Sequence, residues 1–275
     1  MNQPRDEENE FKSGMTGEDA ILTFLFGILL VGVLGILYVD FRSLTRSEIS
    51  FDLPFVQPAV DRAPILPARE NDQVRRYSPQ VRVDFGPGGR AKLPGVAGNP
   101  DKLLSGSMTF HDAGDGVVSA VGLIDPGTFE RFRDFLTEIG QETEIKTIYL
   151  HSPGGFVQDA ISMSRYIRSR ELKTVITKHG YCASSCPLVL SGGKTREVVQ
   201  PSAVGVHQVF ASETAVGTLQ KGIADAQIVS ADAQQLLVDM GVDPRAWIKA
   251  MMTPKDKLYL FTEEEVKDFK LSTED

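Results

Sequence analysis

Hydrophobic positions along this chain fall into three textures, and each predicts a different kind of element. Residues 20–39, AILTFLFGILLVGVLGILYV, are twenty consecutive positions without a charge. At about 1.5 Å of rise per residue such a run matches the roughly 30 Å hydrocarbon core of a bilayer, so a transmembrane helix is predicted. A cleaved signal peptide fits less well: the run exceeds the usual apolar region of one, the preceding tail is acidic (Asp6, Glu7, Glu8, Glu10), and no small-x-small site follows promptly. From 40 to 101 the apolar pattern breaks up, and eight of the fifteen prolines stand there among charges and the cluster Gly86, Gly88 and Gly89. Proline lacks the amide proton that helices and central strands use. The stretch therefore reads as a semi-extended spacer, with the alternation Val81, Val83, Phe85 as a candidate edge strand.

Beyond it, strand and helix periods alternate. Apolar stretches at 108–110 and 117–124 flank a turn-forming 111–116 and predict a hairpin. Asp125 and Pro126 open a helix that sets Phe129, Phe132, Phe135, Leu136 and Ile139 on one face and ends at Gly140. A strand at 147–150 runs into Ser152-Pro153-Gly154-Gly155, then a helix to about Arg170 with Val157, Ala160, Ile161 and Ile167 inward, then a strand at 172–177. Strand, glycine turn, helix and strand in this order indicate a βαβ crossover and an α/β domain with mainly parallel pairing. The predicted organisation is a tail at 1–19, a membrane helix at 20–39, a proline-rich linker at 40–101 and a domain at 102–275.

Composition narrows the partners. Of 275 residues 41% are hydrophobic and 24% charged, which suits a packed globular core. A net charge of -8 with scattered basic residues gives no footprint for nucleic acid. His111, His151, His179 and His207 are far apart and form no HxxxH or HExxH pair, so no metal is expected. Without a Walker motif or a Rossmann glycine fingerprint, neither a cofactor nor an ATP site is expected in this chain. Arg5 and Lys12 before the apolar run balance Arg42 and Arg46 after it, so loop charge does not set orientation. The short tail favours a cytoplasmic N-terminus, with the large domain outside the cytoplasm.

Three segments carry candidate chemistry. In Ser152-Pro153-Gly154-Gly155-Phe156, paired glycines between strand and helix let the backbone approach a ligand and present N–H groups to an oxyanion, although such a turn more often only caps a helix. In Gly180-Tyr181-Cys182-Ala183-Ser184-Ser185-Cys186-Pro187, small residues crowd a turn whose proline suits a first helical turn. Ser184 there is either an N-cap or a nucleophile facing the helix dipole. Ser202 to Gln208 is an apolar strand delivering His207, which is either structural or the neutral base that a serine hydroxyl needs.

In this order and spacing the three segments resemble the Clp protease proteolytic subunit, and more loosely its signal peptide peptidase A and crotonase relatives. The strand with SPGG-x-V at 150–157, the small-residue turn at 180–184 and the G-x-H-Q strand at 205–208 carry the resemblance, which covers about 170 residues. It implies repeated ββα units forming a mainly parallel sheet with flanking helices, preceded here by one transmembrane helix. It further implies Ser184 as nucleophile, His207 as base, the backbone N–H groups of Gly155 and Ser185 as oxyanion hole, and a long helix at about 214–240 followed by a helix start at 261–266. The family's orienting aspartate falls at about Leu258; Asp256, two residues earlier, would keep the same face of an extended strand, yet its neighbours Lys255 and Lys257 read as a solvated charge run. Without an acid the site is a serine–histidine dyad or a relic, because losing the orienting acid of a triad costs on the order of 10⁴ in rate.

A shift of register by one residue would make Ser185 the nucleophile. Cys182 and Cys186, at i and i+4 around the serines, are either a disulfide across the turn in an oxidising compartment or two small buried residues. Two activities are weighed foremost: a membrane-anchored, homo-oligomeric serine peptidase cutting peptides or protein tails in the periplasm of a bacterial inner membrane, and an inactive scaffold or peptide-binding oligomerisation module. Crotonase-type acyl-CoA chemistry is weaker, since it has no need of the serine and histidine.

Overall fold

The computed structural model describes residues 17–46, 71–79, 83–86, 88–210 and 219–274. Two compact units divide the chain near Val60. The first holds helix α1, Gly17–Arg46, whose segment Ala20–Arg42 is long and apolar enough to cross a membrane and has none of its residues buried by protein.

The second unit is α/β with two mixed sheets. Along the chain its elements are β1 (Val74–Arg76), a 3₁₀ turn at Pro100–Leu103, β2 (Thr109–Asp112), β3 (Val117–Val121), α2 (Thr128–Ile139), β4 (Thr147–His151) and α3 (Val157–Ser169). Then come β5 (Lys173–Ile176), β6 (Tyr181–Ala183), α4 (Cys186–Ser191), β7 (Arg196–Val198), β8 (Ala203–Val206), α5 (Leu219–Asp239), α6 (Arg245–Met252), β9 (Lys257–Leu260) and α7 (Glu263–Asp268). One sheet has the order β2-β3-β4-β5-β7 and is parallel except for the β2–β3 hairpin. The other, β1-β9-β8-β6, is parallel only between β6 and β8. The mainly parallel expectation thus applies to the first sheet; in the second, β9 returns antiparallel on β8 and takes β1 on its outer edge.

The linker expected over 40–101 is folded in its described later part. Val74 pairs with Tyr259 in β1, Val83 is buried, and Ala91 and Leu93 pack on Val121. An edge strand and turns tolerate proline, so Pro79, Pro94 and Pro100 do not keep the described part off the domain. The edge strand is 74–76; of the alternation expected to form one, Val83 and Phe85 join a small cluster with Tyr181, Leu258 and Leu260, and Val81 lies outside the described residues. Helix α2 begins after Pro126: Gly127 sits at φ 88° as its N-cap, and the Asp125 carbonyl accepts from the Thr128 amide, so the Pro-Gly pair makes a turn.

The main core gathers strand residues of both sheets, among them Ile148 and Leu150 of β4 and Val204 and Val206 of β8, with the helices. Phe132 and Leu136 of α2, Ile161, Met163 and Ile167 of α3, and Cys186, Leu188, Val189 and Leu190 of α4 are buried in it. Two guanidinium groups gather the ends of helices around that core. Arg168 donates to the carbonyls of Ser191, Gly192, Gly193 and Met240, and Arg196 to those of Gly193, Met240 and Lys270. Carbonyls at helix C-termini carry partial negative charge, which suits a cation. Burial, with Arg168 nearby, brings the Arg196 guanidinium down to about 10.

Candidate active site

The site assembles where β4 leaves the first sheet and meets β6 of the second. Ser152 forms an isolated parallel bridge with Cys182; its amide donates to the Tyr181 carbonyl, and its own carbonyl accepts from Ala183. The Ser152 hydroxyl donates to Gly122 and accepts from the Gly154 amide, which fixes the following turn. Gly154 has φ 89°, and a Cβ there would fall 2.5 Å from Ser184 Cβ and 2.7 Å from the Ser185 nitrogen. Only glycine lets the SPGG turn press this closely on the serine turn.

Ser184 itself has φ 60°, a left-handed conformation rare for a side-chain-bearing residue. It follows β6 directly, and its amide donates to the Gly205 carbonyl of β8. The N-cap of α4 is Ser185, not Ser184. Ser184 is half-exposed whereas Ser185 is buried, so the outward hydroxyl belongs to Ser184. Cys182 and Cys186 are joined in a disulfide with a Cα–Cα distance of 5.2 Å, closing a ring around both serines. Among the described residues the amides of Gly155 and Ser185 have no acceptor.

His207 stands just beyond β8 and is buried. Its Nδ1 lies 2.9 Å from the Gln208 carbonyl oxygen, which can only accept, so Nδ1 carries the proton and Nε2 presents a lone pair. Among the described residues that Nε2 has no partner. Burial pushes the imidazole pKa below its ordinary value against the opposing effect of the Gln208 bond, so the neutral form prevails near pH 7.

Asp256 does not orient His207. It precedes β9 in a turn, where Lys257 donates to Pro254, and an argument from faces of an extended strand fails there. Its side chain is exposed, and its backbone carbonyl accepts from the Tyr77 amide at 2.9 Å. Leu258, at the family's acid position, is buried.

Two features escaped the sequence reading. Tyr77, just after β1, sets its ring 4.5 Å from that of His207 and donates its hydroxyl to the Pro153 carbonyl at 2.6 Å. His151 accepts the Tyr181 amide at Nδ1 (3.1 Å), so its Nε2–H points to Asp101 Oδ1, also at 3.1 Å, tying the former linker to β4 and β6. Both link positions tens of residues apart; His151 adjoins the Ser152 turn and could have hinted at its link, whereas Tyr77 stands in the expected linker with no motif beside it. Among the described residues no three His, Cys, Asp or Glu side chains stand together as a metal site. Comparison of the chain with models of known protein families gave no match, and comparison with curated proteins gave none.

Proposed function

We propose that this chain is a membrane-anchored serine peptidase resembling the Clp proteolytic subunit, with a serine–histidine dyad in place of a triad. The observation that carries the reading is the polarity of His207: a backbone carbonyl holds the Nδ1 proton, leaving a buried Nε2 base with no partner among the described residues, beside the outward Ser184 turn. In the proposed reaction Ser184 Oγ attacks a peptide carbonyl as its proton passes to Nε2. The oxyanion is received by the Gly155 and Ser185 amides, and Nε2–H then protonates the leaving amine. Water repeats the sequence on the acyl-enzyme. The Gln208 carbonyl does the orienting work of the missing acid, but as a dipole it stabilises the imidazolium less than a carboxylate, so turnover is expected to be slow.

Setting follows from the same residues. A disulfide suits an oxidising compartment, which supports a periplasmic domain on a single-pass inner-membrane anchor. Exposed Ile223, Ile228 and Val238 on α5 support contact between copies. A fluorophosphonate probe should label the full-length protein in membranes; the label should vanish in Ser184→Ala and survive in Ser185→Ala. Label surviving in Ser184→Ala sinks the assignment. A non-catalytic scaffold is the second reading, favoured by the absence of a hydrogen bond between Ser184 and Nε2; it predicts no labelling at all.

A further inference from the structure

We infer that Phe210 and Lys255 form the subsite for the substrate residue on the leaving side of the scissile bond, and that the side chain taken there is apolar and not basic. The inference rests on the serine–histidine reading above.

In that reading Nε2–H of His207 protonates the leaving amine, so the amine comes within hydrogen-bond reach of the imidazole, about 3 Å. The residue that carries it then lies beside whatever borders the ring. Tyr77, 4.5 Å away between centroids, has its hydroxyl occupied by the Pro153 carbonyl. Phe210 is 5.8 Å away, stacked on the imidazole, and 50% exposed. A half-open aromatic ring gains by being covered, and a side chain carried by the leaving amine is long enough to reach it from Nε2.

Apolar surface continues from there. The Gln208 amide donates to the Thr253 carbonyl at 2.9 Å, which sets the C-terminal end of α6 beside the segment that carries Phe210. Met251 and Met252, the last two residues of that helix, are exposed. Three side chains of about 200 Å² each fall short of the roughly 800 Å² per partner that a stable subunit interface buries, whereas they suit one or two residues of a peptide. Charge sharpens the choice. Lys255 sets its Nζ 5.8 Å from the centroid of the same Phe210 ring. A side chain laid against that ring meets the ammonium, so a basic residue is repelled and an apolar one is not.

Aminolysis of the acyl-enzyme, the leaving step run backwards, reads the leaving side alone. Purified full-length protein in detergent is acylated by the 4-nitrophenyl ester of acetylalanine, and amino-acid amides compete with water for the acyl group. The amine nitrogen bonds to the acyl carbon, the bond to Ser184 Oγ breaks, and the amine proton passes through Nε2 to Oγ. The ratio of amide to acid product is internal to each variant and independent of how much of it is active. In wild-type, phenylalaninamide should be taken about tenfold over glycinamide, the rate equivalent of burying about two methylene groups, and lysinamide no better than glycinamide. Phe210→Ala should bring phenylalaninamide down to glycinamide, and Lys255→Glu, at an exposed position, should raise lysinamide about fivefold. Equal use of phenylalaninamide and glycinamide in wild-type, or a preference that persists in Phe210→Ala, overturns the subsite while the acyl-enzyme stands. An unchanged lysinamide ratio in Lys255→Glu overturns the part of Lys255. Ester cleavage no faster in wild-type than in Ser184→Ala overturns the serine–histidine reading and this inference together.

Discussion

At the scale of single residues the site turns on where protons sit. His207 is buried with Nδ1–H directed to a carbonyl, and its pKa is lowered chiefly by that burial. The base is then neutral over a wider range than free histidine, so the rate of Ser184 labelling against pH should show its acid limb below about 6.5. A limb at or above 6.5 would contradict the buried, carbonyl-held imidazole. Stability follows the same sign. The unfolded chain binds a proton on this histidine near pH 6.5 and the folded chain only at lower pH. Its contribution is therefore present above about pH 6.5 and lost as pH falls through the folded value, which urea unfolding across that range would register.

At the scale of elements two fastenings stand out. The Cys182–Cys186 disulfide spans a separation of four residues, so it closes a very short loop. Chain-entropy arguments give such a loop about 2 kcal/mol. Replacing both cysteines by alanine should lower stability by about that much in chemical denaturation, and should slow labelling further by loosening the left-handed Ser184 turn; unchanged labelling would make the disulfide a fastening only. Arg196 is the second. Its donors serve the carbonyls of Gly193, Met240 and Lys270, just beyond the C-terminal ends of α4, α5 and α7. The Gly193 and Met240 carbonyls keep Arg168 as a donor, so Arg196→Leu leaves the Lys270 carbonyl alone and should lose about 1–3 kcal/mol. Arg196→Lys should recover little, because one ammonium cannot reproduce the fork of donors.

For the whole molecule, the helix α1 and the α/β unit are separate bodies joined by the chain between 46 and 71, and each is described by its own contacts. The topology proposed above has a direct check. Protease added to right-side-out vesicles should degrade the α/β unit, whereas in inside-out vesicles the unit should be protected; the reverse pattern would put the domain in the cytoplasm and leave the disulfide without an oxidising surrounding.

Local signals were enough for several parts of this molecule. The apolar run of α1, the β2–β3 hairpin, the helix–strand alternation through β5 and the position of Ser184 at a tight turn all follow from periodicity and from glycine and proline placement, which act within a few residues. The acid question at Asp256 and Leu258 came from the resemblance and not from any local pattern. Tertiary structure decided the rest. Asp256 lies in a turn facing solvent; a carbonyl, which every residue carries and no pattern marks, took the orienting role beside His207. The described residues between 71 and 101 read as spacer because prolines exclude helices and central strands, yet edge pairing with β9 and burial against β3 need neither. Tyr77 reaches His207 and Pro153 only because that edge strand is docked. Contacts between segments more than a hundred residues apart depend on how sheets and turns pack, and packing has no local signature.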